Sequence, residues 1–134
     1  MDWDEYADWG KKIAQWGAVY HKSLRDLPVR SQVSPGQVSK SIPAFAPEEP
    51  EDVSQIMADF DQFILPGMTH WQHPRFFAYF PSNAAPPSIL ADFLSATLSS
   101  QGILWQMSPA ATELETSMMA VSYTHLRAHE TATY

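Results

Sequence analysis

The sequence predicts a mainly α-helical chain, and three observations lead to this prediction. Apolar side chains recur at spacings of three and four residues in several stretches, which is the period of an α-helix. The 11 prolines fall mostly between these stretches, where they begin or end helices. Hydrophobic residues make up 45% of the 134 residues and charged residues 17%, which is typical of a globular protein and not of a disordered one.

The first predicted helix runs from Asp2 to about Leu24. Asp2 and Glu5 have the spacing of a capping box, and Pro28 ends the helix. Aromatic and apolar side chains share one face, at Trp9, Ile13, Trp16 and Tyr20. Little of the neighbouring sequence could cover this face. It packs either in the core of the chain or on another subunit.

Three further helices are expected beyond an irregular, proline-rich stretch over residues 28–50. That stretch has room for a single helical turn at about residues 37–42. The second helix spans about 51–65, the third about 87–98, and the fourth begins at Pro109. The aromatic residues between Phe76 and Phe80 favour a short extended segment.

The charge and the cysteine content exclude several classes of function. The net charge of -7 argues against nucleic acid and against an anionic membrane surface as partners. The absence of cysteine excludes disulfides and thiol chemistry. No run approaches the ~20 apolar residues of a membrane helix. The acidic start is unlike a signal peptide, so a cytoplasmic protein is expected.

Few residues have the pattern of catalytic or metal-binding groups. His70 and His73 lack a third ligand for zinc, so we interpret them as hydrogen-bonded histidines with a structural role or a place in a pocket. His125 and His129 have a spacing that could chelate a metal on a helix, but they lie in a stretch of doubtful origin, and no metal site is predicted. A lysine that forms an imine needs a buried pocket. The last lysine, Lys40, lies in a loop, and the others lie on the polar side of the first helix, at Lys11, Lys12 and Lys22.

One cluster suggests binding. Flat apolar side chains and one hydroxyl occur close together in the sequence at Trp71, Tyr79, Phe80, Pro81 and Ser82. Such a surface could bind an aromatic side chain by stacking. On the spacing alone, however, packing in an ordinary core is the favoured interpretation of these residues.

Three stretches carry a resemblance to a known family: PVRSQVSPG at 28–36, LPGMTHWQHPRFFAYFP at 65–81 and SPAATELET at 108–116. In this order and spacing they resemble the N-terminal region of group II pyridoxal-phosphate (PLP)-dependent amino-acid decarboxylases, of the aromatic-L-amino-acid, tyrosine and tryptophan type. The resemblance extends from about Trp3 to Met119.

The resemblance implies a parent fold of the α/β class, the aspartate-aminotransferase-like PLP-dependent fold type I, in a homodimer. Residues 1–85 would be a helical N-terminal dimerisation segment, and residues 86–119 the truncated start of the large PLP-binding domain. The complete protein would be a carboxy-lyase that decarboxylates L-amino acids, aromatic ones above all. Its PLP would supply the electron sink.

The resemblance also implies roles for particular residues. The substrate pocket would be lined by Trp71, Tyr79, Phe80, Pro81 and Ser82. The pocket of the partner subunit would be lined by Gln101, Ile103 and Leu104. Some family members have an aromatic residue near Ile103, so the preferred substrate side chain depends on this loop. The cofactor lysine lies beyond the chain, which leaves no catalytic or cofactor-binding residue here.

Residues 120–134 depart from the family and resemble translated sequencing-adapter DNA, so a non-native tail is expected there. Two alternative functions stay open at this point. The chain could be a stand-alone helical dimerisation or interaction module without catalysis. It could also belong to a group II decarboxylase that acts on a non-aromatic amino acid.

Overall fold

Five α-helices form most of the regular structure in the computed structural model, which describes residues 1–81 and 84–126, and of residues 125 and 126 the backbone alone. The helices are α1 Trp3–Ser23, α2 Gln37–Ser41, α3 Val53–Asp59, α4 Pro86–Leu98 and α5 Pro109–Leu126. No strand occurs in the described part of the chain, which confirms the mainly α prediction. None of the helices described combines the length and apolar character that crossing a bilayer requires.

The predicted capping box begins α1. The Asp2 carboxylate accepts hydrogen bonds from the backbone N–H groups of Asp4 and Glu5, at 2.9 and 2.8 Å. The Glu5 carboxylate accepts the Asp2 N–H at 3.0 Å in return. These bonds satisfy donors that have no partner within the helix. After Ser23 the chain tightens into a 3₁₀ turn, Leu24–Asp26, and leaves the helix before Pro28.

The helix predicted over about residues 51–65 changes its form midway. α3 continues into a π-helical turn, Phe60–Ile64, in which the Leu65 N–H donates to the Phe60 carbonyl. A 3₁₀ turn, Leu65–Gly67, follows. Pro66 explains the widening, because it has no N–H to donate and its ring would clash with a carbonyl one helical turn earlier.

A close approach between α2 and the Leu65–Gly67 turn requires a glycine. A Cβ atom on Gly67 would lie 2.8 Å from Cγ2 of Val38, nearer than carbon atoms can pack. The same region is joined to the loop after α1. The His70 N–H donates to the Val29 carbonyl at 3.0 Å, and the Ser31 hydroxyl donates to the Pro66 carbonyl at 3.3 Å. The loop after α1 is therefore hydrogen-bonded to the segment that immediately precedes Trp71 in the chain.

The prediction of an extended segment from Phe76 to Phe80 is wrong. No strand forms, and the segment bends at Tyr79, whose φ of 57° is left-handed. The propensity of aromatic residues for strands has no effect here, because no neighbouring strand in the described chain offers hydrogen bonds to an edge.

The chain divides into two units, Met1–Ser82 and Asn83–Tyr134. In the second unit α4 begins at Pro86, as Pro at a first helical position favours, and ends where Ser99 turns left-handed with a φ of 48°. α5 begins at Pro109 as predicted.

Burial is slight in both units. Among the described residues, Leu24 is the only buried apolar side chain. In the second unit, large apolar side chains stay 46–74% exposed along α4, at Ile89, Leu90, Phe93, Leu94 and Leu98. α5 likewise exposes Leu114, Met118 and Met119. The second unit therefore has apolar helix faces that it does not cover itself.

Candidate functional site

Three aromatic rings stack in series at the end of the first unit. The Trp71 ring lies 5.1 Å from the Phe76 ring at 30°, and 5.7 Å from the Tyr79 ring at 24°. We call Phe76, Trp71 and Tyr79 the aromatic stack. Offset rings at such distances attract each other by about 0.5–1.5 kcal/mol per pair. Tyr79 is 82% exposed, so the stack offers a flat ring to a ligand.

Tyr79 reaches this position through a left-handed backbone. Its φ of 57° is rare for a bulky side chain and costs roughly 1–2 kcal/mol. Stacking on Trp71 offsets part of that cost. Backbone strain of this kind is concentrated in segments that bind ligands or do chemistry.

A buried histidine lies next to the stack in sequence. His70 is 4% exposed, and its Nδ1 lies 2.8 Å from the hydroxyl of Tyr20 on α1. Burial, and secondarily the charge of His73, lowers the pKa of His70. Burial also raises the pKa of Tyr20. Both shifts favour a neutral pair at neutral pH.

His73 is buried as well, at 3% exposed. Its Nδ1 accepts the Arg75 N–H at 2.9 Å, which places the proton of a neutral ring on Nε2. This buried Nε2 has no hydrogen-bond partner in the part of the chain described. Such an unpaired donor costs about 1–3 kcal/mol. Each of the two rings is thus hydrogen-bonded through Nδ1, as predicted.

The structure brings together only part of the predicted substrate surface. Trp71 and Tyr79 stack, while Phe80 is 98% exposed and Pro81 is exposed beside it. Ser82 lies outside the described residues. Neither Phe80 nor Pro81 packs into a core formed by the described residues.

The residues predicted to line the partner's pocket lie in the loop between α4 and α5. Ile103 and Leu104 are 74% and 56% exposed, and Gln101 is exposed too. Trp105 ties the end of this loop to α5, because its Nε1–H donates to the Glu113 carboxylate at 2.8 Å. The loop thus has one fixed end and an apolar, uncovered middle.

Metal binding has no support in the described residues, where no group of three His, Cys, Asp or Glu side chains could hold an ion. His129, one of the histidine pair considered from the sequence, lies outside the described residues, and for His125 the backbone alone is described.

The comparison with protein families connects this chain to a known group of enzymes. The family model described as "Pyridoxal-dependent decarboxylase conserved domain" matches residues 35–129. The chain belongs to this decarboxylase family. The match runs past Met119, where the resemblance was expected to end, and the origin of residues 120–134 stays a prediction.

Relatives within the family have related names. The chain is 46% identical over 115 residues to phenylacetaldehyde synthase of Arabidopsis thaliana, covering 86% of this chain and 24% of the relative. It is 44% identical over 119 residues to tyrosine decarboxylase of Papaver somniferum, covering 89% and 23%. The chain therefore spans about a quarter of the length of the curated relatives it matches.

A solved structure shows the same fold for this segment. Catharanthus roseus tryptophan decarboxylase in complex with L-tryptophan superposes with a TM-score of 0.86 at 38% identity, covering 92% of this chain and 27% of that one. The helices of this decarboxylase-family chain thus correspond to one part of a larger fold, as expected from the resemblance.

The residues present do not fit the attachment of PLP. Every lysine of the chain is exposed, at Lys11, Lys12, Lys22 and Lys40. A lysine that forms an imine needs a desolvated pocket, which these positions lack. None of the lysines of this chain is therefore suited to hold the cofactor through an imine.

Sequence reasoning missed two residues of the site. The helical spacing placed Tyr20 on a packing face, but its partner His70 is 50 residues away, and no local pattern reports such a pair. Phe76 was named only as the first residue of the aromatic segment, and no role in binding was predicted for it. Its spacing of five from Trp71 is not a helical or strand period, and only the turns after His70 and His73 bring the rings together.

Proposed function

We propose that the complete protein is a PLP-dependent carboxy-lyase that decarboxylates L-amino acids with aromatic side chains. This chain supplies one wall of the substrate pocket and contacts between the two subunits of a homodimer. The observation that carries the proposal is the exposed aromatic stack, with Tyr79 held in a left-handed conformation at its outer end.

The chemistry of the stack suits an aromatic side chain. A planar substrate ring can continue the series of parallel rings, gaining attraction beyond the apolar area it buries. The stack itself consists of uncharged rings, so it offers no counter-charge to an acidic side chain. The names of the relatives point the same way, since they include a tyrosine decarboxylase and a tryptophan decarboxylase.

The uncovered half of α1 supports the dimer contact. At its C-terminal half, Trp16 stacks on Tyr20 at 5.3 Å and meets Phe60 edge-on at 5.5 Å. At its N-terminal half, Trp3 is 80% exposed and Ile13 is 48% exposed. Apolar side chains left open along half of a helix fit the isologous interface of a two-fold dimer.

The loop between α4 and α5 supports a role at the partner's pocket. Its exposed Ile103 and Leu104 present apolar surface from a segment anchored by Trp105. We infer that this loop reaches the substrate of the other subunit, and that Ile103 helps to set which side chain fits.

A chimeric enzyme tests the proposal. Residues 1–119 replace the matching quarter of the Papaver somniferum tyrosine decarboxylase, and amine, aldehyde and CO₂ are measured with L-tyrosine, L-tryptophan and L-glutamate. We expect turnover of the aromatic substrates. Removing one stacking partner by Tyr79→Ala should lower kcat/KM for them about two- to tenfold, the equivalent of about 0.5–1.5 kcal/mol.

A matched control is Lys22→Ala, an exposed change on α1 away from the stack, which should leave kcat/KM unchanged. A dimeric, PLP-loaded chimera that processes glutamate as well as tyrosine would contradict aromatic specificity. An active chimera indifferent to Tyr79→Ala would remove the stack from the pocket.

A further inference from the structure

We propose that Tyr20 is a positioning residue for the aromatic stack: acting through His70, it sets the orientation of Trp71. The inference deepens the proposed function and rests on it for its catalytic meaning, but the mechanical link is a property of this chain alone. It makes α1 part of the apparatus that fixes substrate specificity.

The link begins on α1. Tyr20 stacks on Trp16 with nearly parallel rings, at 4°. The Trp16 Nε1–H donates to the Asp61 carboxylate at 3.0 Å, and its ring contacts Phe60 in the π-helical turn. Tyr20 therefore has a fixed ring, and its hydroxyl has a defined place. The contacts of Trp16 therefore hold the Tyr20 side chain in one orientation, independently of His70.

The link continues through His70, which is held at three points. Its Nδ1 meets the Tyr20 hydroxyl at 2.8 Å, and its N–H donates to the Val29 carbonyl at 3.0 Å. Its carbonyl accepts the His73 N–H at 3.0 Å. Trp71 follows directly in the chain, so the anchored residue before it fixes the position of its Cα, from which the ring stacks on Phe76 and Tyr79.

The far side of Trp71 is fixed in a similar way. The His73 carbonyl accepts the Phe76 N–H at 2.9 Å, which closes the turn that brings Phe76 onto Trp71. The two histidines are buried while Trp71 is 45% exposed. The exposed Trp71 ring thus lies next to two buried polar side chains. Among the hydrogen bonds that the structure describes, the only side-chain bond between these histidines and α1 is the one to Tyr20.

Fluorine NMR on the full chain tests the proposal. With 5-fluorotryptophan incorporated, the five tryptophans give separate resonances, assigned by single Trp→Phe changes. Tyr20→Phe removes the hydroxyl and keeps the ring that stacks on Trp16. We expect the Trp71 resonance to shift by more than the Trp105 resonance, which serves as an internal reference in the other unit. Tyr123→Phe, on α5, is the matched control and should shift neither.

Two variants at His70 distinguish the loss of its link to Tyr20 from a general destabilisation of the fold. Asparagine places a polar atom near the position of Nδ1, whereas alanine has none. His70→Ala should therefore reproduce the shift seen with Tyr20→Phe, and His70→Asn should return the Trp71 resonance toward its original position. If Tyr20→Phe unfolds the first unit, this pair of variants alone decides the question.

An unchanged Trp71 resonance in folded Tyr20→Phe would overturn the proposal, as would equal shifts in His70→Ala and His70→Asn. Neither outcome depends on decarboxylation, so failure here is distinct from failure of the chimera. In the chimera, Tyr20→Phe should raise KM for L-tyrosine about two- to threefold with little change in kcat, because it misplaces a binding surface and no reacting group.

Discussion

At the scale of single residues, Tyr79 has a backbone conformation that is unfavourable for a bulky side chain. Its ring is 82% exposed, so it buries little surface, and its φ of 57° costs conformational energy. A residue that contributes so little to folding is retained for another reason, which we take to be ligand stacking.

Tyr79→Asn tests this view through stability. Asparagine tolerates the left-handed region, so the relief of roughly 1–2 kcal/mol should match or exceed the loss of one stacking pair. We expect the free energy of unfolding in urea to stay constant or to rise by about 1 kcal/mol. The control is Phe76→Asn, in the same stack but without a positive φ and half-buried, which should destabilise the fold. Equal losses in both variants would show that the backbone of Tyr79 is not strained.

His70 should make stability depend on pH. Burial, and then the charge of His73, holds its pKa below the ordinary 6.5 in the folded state. As the pH falls below this ordinary value, the unfolded chain takes up a proton that the folded chain refuses, so stability falls until the folded pKa is passed. Urea denaturation at neutral and mildly acidic pH should show this loss. It should be reduced in His70→Asn and retained in His21→Asn, whose histidine is exposed on α1. A loss of the same size in all three proteins would assign it to other groups.

Only some residues of the site were predictable from the sequence, and their geometry was not. The order of Trp71, Tyr79, Phe80 and Pro81 in the sequence suggested a stacking surface, because residue chemistry alone indicates what a surface can bind. The partnership of Tyr20 with His70 depends on a fold that joins positions 50 residues apart. No spacing rule within one element reports it.

At the scale of elements, the helix boundaries follow local chemistry closely. The capping box at Asp2 and the prolines at Pro86 and Pro109 marked three helix starts correctly, because caps and prolines act within one turn. The π-helical turn at Phe60–Ile64 was not predicted, since periodicity over residues 51–65 reads as one helix. Its cause, Pro66, lies directly beyond that pattern, so the spacing of the apolar residues does not include it.

The end of α4 offers a test at this scale. Ser99 ends the helix with a left-handed φ of 48°, which glycine adopts without steric cost. Ser99→Gly should stabilise α4 by about 0.5–1 kcal/mol, the relief of strain less the extra entropy of the unfolded glycine. Thermal unfolding followed by far-UV circular dichroism measures it. Ser100→Gly, one residue further on and without a positive φ, should give no gain.

At the scale of the whole molecule, the apolar faces of α4 and α5 decide how the isolated chain behaves. Side chains such as Leu90, Leu94 and Leu98 are 59–74% exposed, and nothing in their own unit covers them among the described residues. That the helices belong to a bigger structure could be foreseen from the resemblance. Amphipathic spacing shows an apolar face of a helix, but it does not show which other segment covers that face.

The isolated chain should therefore self-associate as its concentration rises. Sedimentation velocity across a concentration series measures this. Leu94→Glu combined with Leu98→Glu should weaken the association by placing charge on the open face of α4. Ser100→Glu adds charge at an exposed polar position instead and should have a smaller effect. A chain that stays monomeric and melts sharply at every concentration would contradict the expectation.

The hydrogen bond between Tyr20 and His70 also has a kinetic consequence. It closes a loop of 50 residues, whereas the bond between Trp105 and Glu113 spans only eight. Contacts between distant positions form slowly, because the chain loses the entropy of loop closure before it gains any stabilisation from the contact. The helices of the second unit should thus appear early, within the time of local helix formation. The aromatic stack should be completed late, when α1 and the segment after the π-helical turn have found each other.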